Sequence, residues 1–135
     1  MKKTIMLLLG IIFIFSAVSC STKQNSEYIL KNITASEAAE MIAKDKTIIV
    51  VDIRTKEEFD SGHIAEALNF DYYSQAFKSQ IDSLDKTKSY IIYCRSGNRS
   101  GKAMAMFEEL GFREVYNIAD GIIGLNGINY PLVTN

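Results

Sequence analysis

The sequence predicts an α/β fold built as one domain, with a central parallel β-sheet carrying helices on both faces. Three observations predict it. Runs of β-branched and apolar residues at 47–53 and 89–93 lack the polar alternation of half-exposed strands and read as strands covered on both faces. Between them lie segments with apolar residues at spacings of three and four, as expected of helices that cross over between parallel strands. The chain of 135 residues, 47% apolar and 23% charged, suits one modest core and matches neither a disordered segment nor a disulfide scaffold.

Each element has its own signal. Thr34-Ala-Ser-Glu37 is a capping box, and Ala38, Ala39, Met41 and Ile42 follow at helical spacing, so a helix is predicted over 35–44. A buried strand follows at 47–53. Thr55-Lys-Glu-Glu58 is a second capping box, opening a short helix that Gly62 can end. Residues 67–70 form a weaker strand, and Tyr73, Ala76, Phe77, Ile81 and Leu84 predict a helix over 72–84. After the strand at 89–93, residues 100–110 place Ala103, Met106, Phe107 and Leu110 on one side of a helix closed by Gly111. The last clear strand is 114–118; the glycine- and asparagine-rich segment 122–135 predicts nothing definite.

The N-terminal segment has a different character. Lys2 and Lys3 precede an apolar run at 5–15, and Ser16, Ala17 and Ser19 follow, which is the order of an export signal. That run of eleven residues is too short to span a bilayer. Ser19-Cys20 resembles a bacterial lipobox, with Ala17 where leucine is usual, which implies cleavage before Cys20 and lipidation of its thiol; ordinary signal-peptide cleavage to a soluble periplasmic protein is the alternative. The expected organisation is therefore a signal peptide at 1–19, a lipidated polar tether at 20–30 and a folded domain at 31–135, exported and held on a membrane facing the periplasm. Without Lys2 and Lys3 there remain 13 basic against 16 acidic residues, which argues against nucleic acid as a partner.

The chemistry is concentrated at residues 94–99, Cys-Arg-Ser-Gly-Asn-Arg. Cys94 ends a buried strand and a helix begins within six residues, so the backbone must turn tightly at the carboxyl edge of the sheet, where ligands of such folds bind. Ser96, Gly97 and Asn98 suit that turn, and positive φ at Gly97 and Asn98 would converge successive N–H groups into an anion nest. The following helix adds the positive end of its dipole, and Arg95 and Arg99 add full charges. Such surroundings lower a thiol pKa from about 8.5 into a range of about 3.5–7.5, making Cys94 a nucleophile. Cys20 and Cys94 are the only cysteines, so with Cys20 bound to lipid Cys94 has no disulfide partner within the chain.

The segment Cys94-Arg-Ser-Gly-Asn-Arg-Ser100 resembles the active-site loop of rhodanese domains. The resemblance extends to Val51-Asp-Ile-Arg54, Glu57-Glu58-Phe59, Gly62-His-Ile64, Val115-Tyr-Asn-Ile118 and Gly121-Ile122, in the family's order, over roughly residues 33–125. The chain departs from the pattern at Ala65-Glu66-Ala67, where Pro-Gly-Ala is usual, at Asp120, where glycine is common, and at Leu125, where tryptophan is common. The resemblance implies a sulfurtransferase working by double displacement. Cys94 takes sulfane sulfur from thiosulfate or a similar small sulfur anion, and the persulfide is held by the N–H groups of residues 95–99. A thiol, such as that of a thioredoxin-like protein, or cyanide then accepts the sulfur, and neither metal nor organic cofactor is needed. A low-turnover persulfide carrier or binding module of the same fold is the alternative. A small cysteine phosphatase ranks lower, because related phosphatases place five residues between cysteine and arginine and this loop has four.

Other residues carry simpler expectations. Arg95 is expected to meet substrate at the pocket mouth, while Arg99 is open between anion binding and bonds to loop carbonyls or Asp52. Asp52 and Arg54, after a buried strand, are expected to pair with loop or backbone groups. His63, the only histidine, is a general-base candidate on residue type, but the resemblance implies a scaffold turn. Tyr72 and Tyr73 are expected to pack, and the five methionines, in the leader and on helix faces, suggest no metal site.

Overall fold

A computed structural model describes residues 27–135. The expected signal peptide, Cys20 and most of the tether lie outside the described residues. In chain order the elements are β1 (Ile29–Ile33), α1 (Ala35–Lys44), β2 (Ile49–Asp52), α2 (Lys56–Asp60), β3 (Leu68–Asn69), α3 (Phe77–Asp82), β4 (Ser89–Tyr93), α4 (Asn98–Glu109), β5 (Glu114–Ile118) and α5 (Gly121–Gly127). The strands form one parallel sheet in the order β1-β5-β4-β2-β3.

Side chains of the central strands point alternately to the two faces of the sheet and build one core on each. Val51, Tyr90, Ile92 and Val115 point to the face covered by α3 and α4, where Phe77, Ile81, Ala103 and Phe107 meet them. Val50, Ile91, Tyr93 and Ile118 point to the other face, covered by α1 and α5 through Ala35, Ala38, Ile122 and Leu125. Fully buried side chains such as Ile92, Phe107 and Leu125 contribute about 1.5–3 kcal/mol each. Both capping boxes form: the Thr34 and Thr55 hydroxyls accept from the N–H groups of Glu37 and Glu58, whose carboxylates accept from the threonine N–H groups in return.

Four elements differ from the sequence expectation, each for a local reason. The sheet begins with β1 at Ile29, inside the expected tether; β1 is an edge strand whose sequence Ile-Leu-Lys-Asn-Ile buries only Ile33. The strand expected from residue 47 starts at Ile49, because the Asp45 carboxylate ties Thr47 N–H into a turn at 2.8 Å. The helix expected over 72–84 is confined to Phe77–Asp82. Asp71 accepts from Tyr73 N–H at 2.9 Å and Ser74 from Ala76 N–H at 3.1 Å, and such side-chain bonds compete with helix formation. Finally, 121–127 is helical despite its three glycines, since Ile122 and Leu125 are anchored in the core.

The three departures from the resembled pattern are accommodated. Glu66, where glycine is usual, takes the left-handed conformation at φ 64°, at a cost of about 1–2 kcal/mol for a residue with a Cβ. Asp120 accepts from Ala35 N–H at 3.1 Å and so satisfies a free donor at the start of α1. Leu125 fills its place in the core and is fully buried.

Candidate active site

The order of the strands fixes where a ligand can enter. The chain leaves β2 toward β3 and leaves β4 toward β5, on opposite sides, so a crevice opens between the carboxyl ends of β2 and β4. Asp52 pairs in register with Tyr93, and Cys94 is the next residue.

From Cys94 the backbone turns through Gly97, at φ 84°, directly into α4. Asn98 is the first helical residue, not a second left-handed position as expected. Gly97 is required twice: by its φ, and because a Cβ there would lie 1.9 Å from the carbonyl oxygen of Ala119. The start of α5 holds the other end of the loop, with Ile122 N–H donating to Cys94 O at 2.9 Å and Ile123 N–H to Arg95 O at 3.2 Å. Gly121 permits this approach, since a Cβ there would lie 2.5 Å from Arg95 O.

The loop wraps the sulfur of Cys94, whose residue is only 1% exposed. Ser100 donates its hydroxyl to Sγ at 3.3 Å. Burial is the largest single influence on the thiol and pushes its pKa up; the Ser100 hydroxyl and the N–H groups of Ser100, Ser96 and Gly97 together outweigh it and hold the pKa below its ordinary value. Cys94 is therefore a sheltered sulfur whose anion is stabilised by converging donors.

The arginines separate by role. Arg99 does not reach loop carbonyls or Asp52: it forms a two-pronged ion pair with Glu58, at 2.8 and 2.7 Å, and lies over the exposed ring of Tyr73 at 5.5 Å. Its hydrogen bonds are the leading cause that lowers Glu58 from 4.5 to about 2. Arg54 is buried and bonded to Asp52 at 2.6 Å and to Gly62 O at 2.7 Å, which ties the β2 end to the following turn. Arg95 is exposed and, among the described residues, makes no salt bridge, which leaves it the free guanidinium of the loop. Ser96 and Asn98 are also exposed.

A cavity of about 320 Å³ adjoins the loop, lined in part by Arg54, Glu58, Arg95, Ile122, Asn126 and Leu132. His63 does not line it. The His63 Nδ1–H donates to Phe59 O at 2.8 Å and the ring stacks on Phe59 at 3.6 Å, so the histidine braces the turn after α2. Among the described residues no group of three or more histidine, cysteine, aspartate or glutamate side chains is placed to hold a metal ion. Tyr72 packs edge-on against Phe77, whereas Tyr73, expected to pack, is 69% exposed.

Two site residues escaped the sequence argument. Glu58 is accounted for locally as the end of a capping box, and its partner Arg99 is 41 positions away. Ser100 reads as a helix-start residue; only the packing of the first turn of α4 over the sulfur, six positions from Cys94, brings its hydroxyl to the site.

Two measurements check these assignments. Ser100→Ala is expected to raise the pH midpoint of Cys94 alkylation and to slow alkylation at pH 7 by roughly tenfold, since a hydrogen bond to an ionised group contributes about 1.5–3 kcal/mol. Glu58 has a lowered folded-state pKa, so its stabilising contribution is complete above its ordinary value of 4.5 and disappears as pH falls toward about 2. With solvent screening at this partly exposed pair, urea unfolding of the wild type is expected to lose about 1–2 kcal/mol more across that acid window than Glu58→Gln does.

A family model described as the rhodanese-like domain matches residues 34–126. The chain is 30% identical over 105 residues to a protein named sulfurtransferase from Allochromatium vinosum, covering 78% of this chain and 96% of that one. It is 37% identical over 93 residues to the tRNA uridine(34) hydroxylase of Hamiltonella defensa, covering 66% of this chain but 26% of the enzyme, so it spans about a quarter of that relative's length. The crystal structure of a rhodanese-related protein from Thermoplasma volcanium superimposes with a TM-score of 0.67 at 30% identity, covering 78% of this chain and 99% of that one. With the matched span reaching from the first capping box through the Cys94 loop into α5, the chain belongs to the rhodanese-like domain family.

Proposed function

We propose that this protein is a sulfurtransferase that moves sulfane sulfur from thiosulfate, or a similar small sulfur anion, to a thiol or to cyanide. The observation that carries this reading is the convergence of the Ser96, Gly97 and Ser100 donors on the buried sulfur of Cys94. The Cys94 thiolate attacks the outer sulfur of thiosulfate, the sulfur–sulfur bond of the donor breaks, and sulfite leaves with the bonding pair. The new persulfide is an anion held by the same N–H groups, which lie in place before the reaction. An acceptor thiolate or cyanide then attacks the outer sulfur, takes it, and returns the pair to Cys94 as thiolate. No step calls for a general base, in keeping with His63 being committed to the Phe59 carbonyl. Arg95, exposed on the loop and without a salt bridge among the described residues, attracts the anionic donor. The sulfurtransferase of Allochromatium vinosum, matched over nearly its whole length, supports the same chemistry.

The wild-type chain is expected to release sulfite from thiosulfate and to gain the mass of one sulfur atom at Cys94, and Cys94→Ser to do neither. Equal sulfite release by the two proteins overturns the proposal, and wild-type loading with negligible turnover on cyanide would favour the persulfide carrier instead.

The leader residues support a further proposal, that the chain is exported and anchored through lipid on Cys20, facing the periplasm. Among the described residues no helix is long and apolar enough to cross a membrane. The intact mass of the mature protein is expected to show a lipid-modified Cys20 at the N-terminus; an unmodified Cys20 amine overturns it.

A further inference from the structure

The cavity beside the Cys94 loop holds more than the proposed chemistry uses. At about 320 Å³ it falls at the low end of pockets that hold organic ligands, about 300–1,000 Å³, and exceeds the needs of a small inorganic donor. It opens beside the sulfur: Arg95 lines it, while Cys94 does not. Two of its charged groups are already neutralised, Arg54 by Asp52 and Glu58 by Arg99. Its apolar lining comes from Ile122, which is tied to the loop, and from Leu132, which is not.

Leu132 is brought there by a segment with no other part in the site. Val133 and His63 exchange both backbone hydrogen bonds, each at 2.9 Å, in an isolated antiparallel bridge. Asn135 adds a side-chain bond to Asp60 at 2.9 Å. Opposite the leucine stands Gly62, and Leu132 Cδ1 lies 3.8 Å from where a Cβ on that glycine would sit. The backbone of the segment is thus latched to the turn after α2, itself braced by His63 on Phe59, while the leucine side chain projects into the cavity wall. Leu132 packs against the core cluster that includes Ile122 but is not itself among the donors to Cys94, so a change at position 132 acts first on the width of the cavity.

We infer that Leu132 is a specificity-determining residue: the latched segment 130–135 is a fixed wall against which the organic stem of an acceptor thiol packs, opposite Ile122. The inference rests on the proposed sulfur transfer, which brings such a thiol to the site. Cyanide needs no seat in the cavity and passes the wall.

The test uses the full chain and compares kcat/KM for glutathione with that for cyanide in the wild type, Leu132→Trp and Leu132→Ala. Leu132→Trp is expected to lower the glutathione-to-cyanide ratio by about tenfold or more, the scale on which pocket size discriminates. Leu132→Ala, which widens the cavity, is expected to lower it less or to raise it. A second readout does not involve sulfur transfer: alkylation of the Cys94 peptide by N-ethylmaleimide relative to the smaller iodoacetamide, followed by mass, is expected to fall in Leu132→Trp and to rise in Leu132→Ala. Should both ratios stay constant across the three proteins, or should Leu132→Trp slow both acceptors equally, the wall has no selective role and the inference is overturned. Absent sulfur transfer in the wild type with the alkylation ratio still moving would instead sink the proposed function and retain the wall.

Discussion

A buried sulfur can carry charge only if donors surround it, and satisfying that constraint shapes the C-terminal half of this domain. Beside the Ser100 hydroxyl, the donors are backbone N–H groups of the turn and the first residues of α4, whose directions are set by main-chain geometry. The turn requires Gly97 in a left-handed conformation, packed so closely on Ala119 that no side chain fits. Ala119 is in turn held by a hydrogen bond from its N–H to Ile33 O, at the end of β1. The edge strand, the β5–α5 turn and the Cys94 loop are thus one connected framework. Isolating the loop from β1 would loosen the position of Ala119 and with it the room left for the turn.

Charge around the loop is distributed with the same economy. Three arginines belong to the Cys94 loop or the cavity beside it, and two are engaged within the fold: Arg54 with Asp52 and Gly62, Arg99 with Glu58. The Arg54 pair is deeply buried, where attraction is offset by desolvation and its role is to fix geometry, joining the ends of β2 and the turn at Gly62. The Arg99 pair is partly solvated and links α2 to α4 across the crevice. With both neutralised, Arg95 at the cavity edge is, among the described residues of the site, the arginine without a salt bridge.

The sequence was most legible where signals are local. The bounds of α1, β4 and β5 follow from one capping box and two compact apolar runs, because hydroxyl caps and strand burial act over a few residues. The loop was equally legible, since a cysteine at a strand end followed by glycine and arginine restricts what the backbone can do. Illegible were the features made by distant partners. Arg99 finds Glu58 across 41 positions, β1 is a strand because β5 offers it an edge, and α5 is helical because Ile122 and Leu125 are buried and its first turn bonds the Cys94 loop. Leu132 lies in a segment whose composition carries no pattern, and it acquires a place only through the ladder between Val133 and His63.

The burial of Cys94 bears on its chemical durability. Oxidative damage to a thiol requires both thiolate character and access. The loop supplies the first and withholds the second, with the residue 1% exposed and its pKa held down by internal donors. A mixed disulfide with another protein would have to bring a second Cβ to within about 3.5–4.5 Å of that of Cys94, an approach that the burial of this residue disfavours. Transfer of a single sulfur atom has no such requirement. The burial of Cys94 thus disfavours a bulky protein disulfide at this cysteine relative to the small persulfide of the proposed reaction.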